Sequence, residues 1–225
     1  MIRIFDLIFS FLAIILLAPL LLLTAIFLKL TGEGEILYLQ KRIGTNGKEF
    51  NLFKFATMLK NSPSLPGGSI TKENDPRILP LGHFLRRTKI NELPQLFNVL
   101  NGSMSLIGPR PMTSDNFSLY SKKVQLEISQ LRPGLSGVGS IIFRNEEKLL
   151  ARVDNVEKYY AASIAPYKAE LEMWFCKNRS LSLYFKLIVL TVVSVLRPGS
   201  IAPWNIFPTL PKPNDEMASQ LTEYD

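Results

Sequence analysis

The residues best placed for chemistry are Arg86-Arg87-Thr88-Lys89-Ile90-Asn91-Glu92-Leu93-Pro94-Gln95, with Gly108-Pro109-Arg110-Pro111 shortly after. Proline has no backbone N–H and is tolerated only in the first turn of a helix. Leu93, Leu96, Phe97 and Leu100 recur at helical spacing, so a helix over residues 92–100 is predicted to start beside Pro94. Asn91 and Glu92 then stand at its N-terminus, where free N–H groups and the macrodipole favour anions. Arg86, Arg87 and Lys89 crowd the same end. Three cations, a carboxylate and an amide at a helix start suit the handling of phosphate, with a metal ion as partner. Local roles exist beside these: Asn is a good N-cap, and a first-turn Glu complements the dipole.

The elements that must hold this stretch follow from the pattern around it. Residues 36–40 read as a strand, Asn46-Gly47 as a tight hairpin turn, and residues 49–58 as the returning strand. Residues 61–75 are rich in Ser, Pro and Gly without apolar period, and are expected to form a mobile substrate lid. Residues 115–131 suggest one amphipathic helix that ends before Arg132-Pro133-Gly134. Residues 141–143 read as a short strand, and 146–160 and 166–177 as helices. Residues 182–196 form an apolar run too short to span a bilayer, fitting an interfacial or core helix.

Residues 4–30 are almost unbroken Ile, Leu, Phe and Ala, long enough to cross a bilayer. Pro19 interrupts that run, so a kink or break is expected near residues 16–18, in either a kinked span or a re-entrant helix. Nearly all Lys and Arg follow the run, which places the globular part on the cytoplasmic side. The division is thus residues 1–30 in the membrane, 31–196 as an α+β, mostly helical domain with a small β-hairpin and interfacial amphipathic helices, and 197–225 as an irregular Pro-rich tail. The net charge of +7 and pI near 9.5 call for anionic partners. One cysteine and one histidine exclude disulfide frameworks and multi-cysteine zinc sites, and leave His-dependent mechanisms poorly supplied.

Residues 36–58 (ILYLQKRIGTNGKEFNLFKFATM), Asp75-Pro76-Arg77-Ile78, residues 85–98, residues 104–111 (MSLIGPRP) and Arg132-Pro133-Gly134-Leu135-Ser136-Gly137 occur in the order found in one family. The chain resembles the bacterial sugar transferases, monotopic phosphoglycosyl transferases that begin glycoconjugate assembly. The resemblance implies transfer of a sugar-1-phosphate from a UDP-sugar to polyprenyl (undecaprenyl) phosphate at the cytoplasmic membrane face, releasing UMP. It also implies Mg2+ as cofactor, a re-entrant helix broken at Pro19, and catalysis at positions 91 and 92. Glu92 is the implied metal-related carboxylate, and Arg86, Arg110, Arg87 and Lys89 are the phosphate-binding cations. Nucleic acid is not an expected partner in this reading; a homo-oligomer stays open.

Departures from the family pattern matter as much. Asn91 stands where the family has a nucleophilic aspartate, and a neutral carboxamide cannot take that covalent step. Ala18, Ala56, Ser103 and Tyr184 also replace the family's usual residues. Glu146 and Glu147 are extra carboxylates that read either as a solvated helix start or as a substitute ligand or nucleophile. Three functions follow: a variant transferase, an impaired relative that binds nucleotide-sugar or lipid phosphate, and a membrane-anchored binder of nucleic acid or anionic lipid.

Overall fold

The computed structural model describes residues 1–65, 71, 74–151, 153–197 and 202–223. Helix α1 (Ile2–Thr31) is about 45 Å long at 1.5 Å per residue. It passes through Pro19 without interruption, so the break expected near residues 16–18 is absent. Ending the helix there would strand several more backbone groups in an apolar setting, whereas continuing forfeits one hydrogen bond.

Both ends of α1 dock on the same body. Near its start, Arg3 donates to the carbonyls of Val99 (2.6 Å) and Leu100 (3.0 Å). Buried Asp6 accepts from the Ser105 hydroxyl, the Leu106 N–H and the Tyr184 hydroxyl, at 2.8 to 3.0 Å. Tyr184 is therefore a donor matched to this chain's own aspartate. Near the other end, Leu28 is buried against Phe55 and Leu85. Between these anchors the helix is bare, with Leu16 80% exposed and Leu22 64% exposed. A straight span would carry its N-terminal end some 45 Å from the body, so the docking of both ends opposes that geometry. Asp6→Ala leaves three buried donors unpaired and is expected to cost about 3 kcal/mol. Urea unfolding in detergent micelles would measure it.

Strands β1 (Leu37–Ile43) and β2 (Glu49–Phe55) form the predicted antiparallel hairpin, in register from Leu37 opposite Phe55 to Ile43 opposite Glu49. Asn46 and Gly47 both have positive φ (58° and 71°), which makes the connection a type I′ turn. Helix α2 (Pro80–Arg87) ends at Lys89 in the left-handed region, and one tight turn (Ile90–Glu92) leads into α3 (Gln95–Asn101). Asn91 and Glu92 thus occupy the turn ahead of the helix rather than its first residues.

Strand β3 (Ser105–Ile107) pairs in parallel with β4 (Gly134–Ser136). The crossover contains α4 (Ser114–Ser118) and α5 (Lys122–Ser129) instead of one amphipathic helix. The break arises because Ser121 caps α5 by accepting from the Val124 N–H, while Gln125 donates back to the carbonyls of Phe117 and Tyr120. Residues 141–143 are not a strand: Ile141 and Ile142 end the helical turn α6 (Val138–Ile142). Its β-branched residues face a core that only a helix presents them to.

Helices α7 (Glu146–Ala151) and α8 (Val156–Tyr159) replace the single predicted helix, and a π-type turn (Tyr160–Ile164) leads from α8 into α9 (Ala165–Asn178). Leu171, Ile164, Tyr167, Trp174 and Phe175 fill the main core there. Helix α10 (Leu181–Leu196) buries Leu183, Tyr184, Leu187 and Leu190, leaving Val189, Val192 and Leu196 exposed, as an interfacial helix would. The tail is ordered where described. Helices α11 (Pro203–Ile206) and α12 (Asp215–Glu223) bring Phe207, Leu210 and Met217 into the core. Tyr167 and Trp204 both donate to the Pro211 carbonyl at 2.9 Å. Prolines excluded long helices from the tail but not burial.

Candidate active site

The turn from α2 to α3 supplies the centre of a polar cleft. Lys89, at φ 61°, reverses the chain after α2, and its carbonyl accepts from the Glu92 N–H at 3.1 Å. This puts Asn91 and Glu92 beside side chains from the hairpin, the Gly108-Pro109-Arg110-Pro111 loop, α7 and α9, with Gly139 of α6 also on the wall. Among the described residues, seven cations line the cleft, including Arg42, Lys54, Arg86, Lys89, Arg110 and Lys168, against four glutamates. The surplus positive charge in a partly enclosed space suits a polyphosphate.

Glu92 is the hub. Its Oε1 lies 3.6 Å from the Arg110 guanidinium and 4.0 Å from Lys54 Nζ. Burial pushes its carboxyl upward, but Arg110, Lys54, Lys89 and Arg42 together outweigh that and hold it at about 2. Burial brings the Lys54 ammonium down to about 7, opposed by Glu92 and helped by Arg42, Arg110 and Arg86. Arg42 falls to about 10, again chiefly by burial. Cations packed this closely await further negative charge.

The remaining carboxylates are distributed among cations. Glu147 pairs with Arg86, and Glu146 with Lys168. Glu172 accepts from the Arg110 N–H at 3.3 Å, under Gly139, where a Cβ would come within 2.8 Å of Glu172 Oε1. Arg110 also donates to the Ser140 hydroxyl at 3.2 Å. Five buried side-chain polar atoms lack a partner among the described residues, and four of them line this cleft: Arg42 Nε, Arg86 Nε, Asn91 Oδ1 and Glu172 Oε2. Such orphans are costly, and their convergence marks a ligand site.

Glu172 also makes a pH signature. Burial pushes its carboxyl up from 4.5 to about 7, against the pull of the Arg110 N–H, Lys168 and the Arg110 guanidinium. A raised acid stabilises the fold in its protonated form, fully below about pH 4.5, and that stability is lost as pH rises through about 7. Glu172→Gln should therefore gain melting temperature relative to wild type between those two values and then hold a constant lead.

Of the predicted site residues, the structure brings together Asn91, Glu92, Arg86, Lys89, Arg110, Glu146 and Glu147. Arg87 is exposed and does not line the cleft, since it lies about 100° round α2 from Arg86. Residues 66–70 and 72–73 of the predicted lid lie outside the described residues, while Thr71 lines the cleft. Arg42, Lys54, Lys168 and Glu172 were missed. The available signal was a charge inside an apolar run, as in Phe53-Lys54-Phe55, or Lys168 and Glu172 at i, i+4 amid aromatics.

Beside the cleft, and sharing Arg42, Lys54, Arg86 and Asn91 with it, a second space of about 690 Å³ runs along the exposed Leu37, Tyr38 and Leu39. The cationic cleft thus adjoins an apolar strip, on the same body as a helix long and apolar enough to cross a membrane. Residues 1–198 match the model of the family described as bacterial sugar transferase. The chain belongs to that family.

It is 32% identical to a UDP-N-acetylgalactosamine-undecaprenyl-phosphate N-acetylgalactosaminephosphotransferase of Aeromonas hydrophila, over 85% of this chain and 42% of the relative. It is 33% identical to an undecaprenyl-phosphate galactose phosphotransferase of Salmonella typhimurium, over 87% of this chain and 40% of that one. The exopolysaccharide production protein PSS of Rhizobium leguminosarum is 35% identical, over 88% of this chain and 96% of the relative. The chain thus spans less than half the length of the first two and nearly all of the third.

Proposed function

We propose that the chain transfers a sugar-1-phosphate from a UDP-sugar to polyprenyl phosphate on the cytoplasmic face of the membrane, releasing UMP. The observation that carries this is the convergence, among the described residues, of seven cations and four orphaned polar atoms on one cleft in a member of this family. In phosphoryl transfer, charge neutralisation and positioning do most of the work. Arg110, Lys89, Arg86 and Lys54 would hold the diphosphate, and the strip along Leu37 and Leu39 would take the proximal part of the prenyl chain.

Position 91 decides the chemical route. Asn91 is neutral, and its buried Oδ1 serves as an acceptor or ligand rather than a nucleophile. The lipid phosphate oxygen then attacks the sugar-bearing phosphorus directly. The bond from that phosphorus to the bridging oxygen breaks, and UMP leaves with the electron pair.

Mg2+ fits the donor set. Glu92 and the orphaned Asn91 Oδ1 are adjacent oxygen donors, and no group of three or more His, Cys, Asp or Glu among the described residues would cage a metal alone. Mg2+ commonly takes one or two protein oxygens and completes its shell with water and substrate phosphate. When bound it would add positive charge at the diphosphate.

Detergent-solubilised protein given a UDP-sugar panel, Mg2+ and polyprenyl phosphate should release UMP only when the lipid acceptor is present. Radiolabelled sugar retained on the protein without acceptor would overturn direct attack. Saturable nucleotide-sugar binding with no UMP under any condition would overturn turnover itself and leave a binding protein.

A further inference from the structure

A cavity of about 730 Å³ lies apart from the cleft, where the first residues of α1 meet β3, the segment before β4 and the start of α10. It shares no lining residue with the cleft. Its walls are partly apolar, with Ile2, Leu131, Phe175 and Leu181, and carry the guanidinium groups of Arg3, Arg132 and Arg179. The carboxylate there is Asp6, already taken by Ser105, Leu106 and Tyr184. Arg3 is held on the carbonyls of α3. Arg132 makes one bond, from Nε to the Gly102 carbonyl at 3.0 Å, and Arg179 has no hydrogen bond or ion pair among the described residues. Both side chains belong to exposed residues.

Uncompensated guanidinium groups beside an apolar wall suit a group that is anionic at one end and apolar at the other. The cavity lies at the foot of α1, and on the side of the helix nearer to it the exposed Leu16 and Leu20 offer an apolar path along the bare middle. A soluble phosphate would use the arginines and waste that path; a lipid uses both. We propose that this cavity seats the phosphate headgroup of an anionic membrane phospholipid, with Arg132 and Arg179 on the phosphate and the acyl chains along the N-terminal half of α1. The site is separate from that for the transferred sugar-phosphate, and it rests on α1 lying in the membrane.

The test counts lipids retained by the full chain in native mass spectra, during titration with phosphatidylglycerol or phosphatidylcholine. One phosphatidylglycerol should be held in preference to phosphatidylcholine. Arg132→Gln with Arg179→Gln should weaken its retention roughly thirty-fold, while the paired Lys substitutions keep most of it. Equal retention of the two lipids by wild type, or undiminished phosphatidylglycerol binding by the Gln pair, would overturn the proposal. Displacement by an equal concentration of soluble glycerol phosphate would overturn the lipid assignment in favour of a free anion. Wild type and the Gln pair should both float with phosphatidylcholine vesicles through α1. If neither floats, the membrane placement of α1 fails and this proposal with it, leaving the cleft's chemistry to the UMP assay. Unchanged melting of the Gln pair, and UMP release within about twofold of wild type in detergent that contains polyprenyl phosphate but no phospholipid, would separate lost lipid binding from lost folding.

Discussion

Glu92→Gln is expected to lower UMP release by about a thousand-fold while leaving the protein folded in detergent. The substitution keeps the shape and removes one charge at the point where Arg110, Lys54, Lys89 and Arg42 converge. Two losses follow from that one change. The carboxylate oxygen that would hold Mg2+ becomes a weaker, neutral ligand. Lys54, brought down to about 7 even with Glu92 beside it, loses the charge that raises it and sheds its proton more readily. The residual rate should therefore begin to fall at a lower pH than the wild-type rate does, on the acid side of neutrality. Full activity in Glu92→Gln would show that the glutamate only balances the cations, and would remove it from the chemistry.

Gly134→Ala should produce the largest structural effect of a single methyl group in this chain. A Cβ at position 134 would sit 2.1 Å from the Gly108 nitrogen and 2.3 Å from the Ser136 carbonyl oxygen, both backbone atoms that cannot swing away. The parallel pair β3·β4 would have to part, and it is this pair that fixes the loop carrying Arg110. Overpacking of this kind costs about 3 kcal/mol. The expected result is a clear fall in melting temperature together with weaker nucleotide-sugar binding, because Arg110 moves with Gly108. A binding constant equal to wild type in a folded Gly134→Ala variant would separate the loop from the cleft.

The parts legible in the sequence were those specified locally. Asn46-Gly47 announces its turn because only a few residues accept positive φ, and the strands on either side then have one register. The long apolar run and the Arg86-to-Gln95 stretch were legible for the same reason, since their meaning lies within a few residues. What stayed hidden depends on distant partners. The β3·β4 pair is three residues long on each side, too short to show a period. Ile141 and Ile142 have strand propensity, and tertiary packing overrides it. Lys54, Lys168 and Glu172 read singly as charges in apolar segments, and only the fold shows that they face one another. At Pro19 the local rule offered a kink or a break, and the helix runs on because a break would strand backbone groups that a continued helix pairs.

The two-ended docking of α1 has a consequence for how the chain is made. Asp6 finds its hydroxyl partners 99 and 178 residues later, at Ser105 and Tyr184, and Arg3 grips carbonyls nearly a hundred residues away. Synthesis runs from the N-terminus at about 5–20 residues per second, so α1 leaves the ribosome many seconds before those partners exist. In that interval the polar side chains of its first turn are without these partners. The charged pair Arg3 and Asp6 opposes passage across the lipid during this wait. Later it becomes the latch. A single short polar cluster thus first restrains the emerging helix and then closes the finished structure around it.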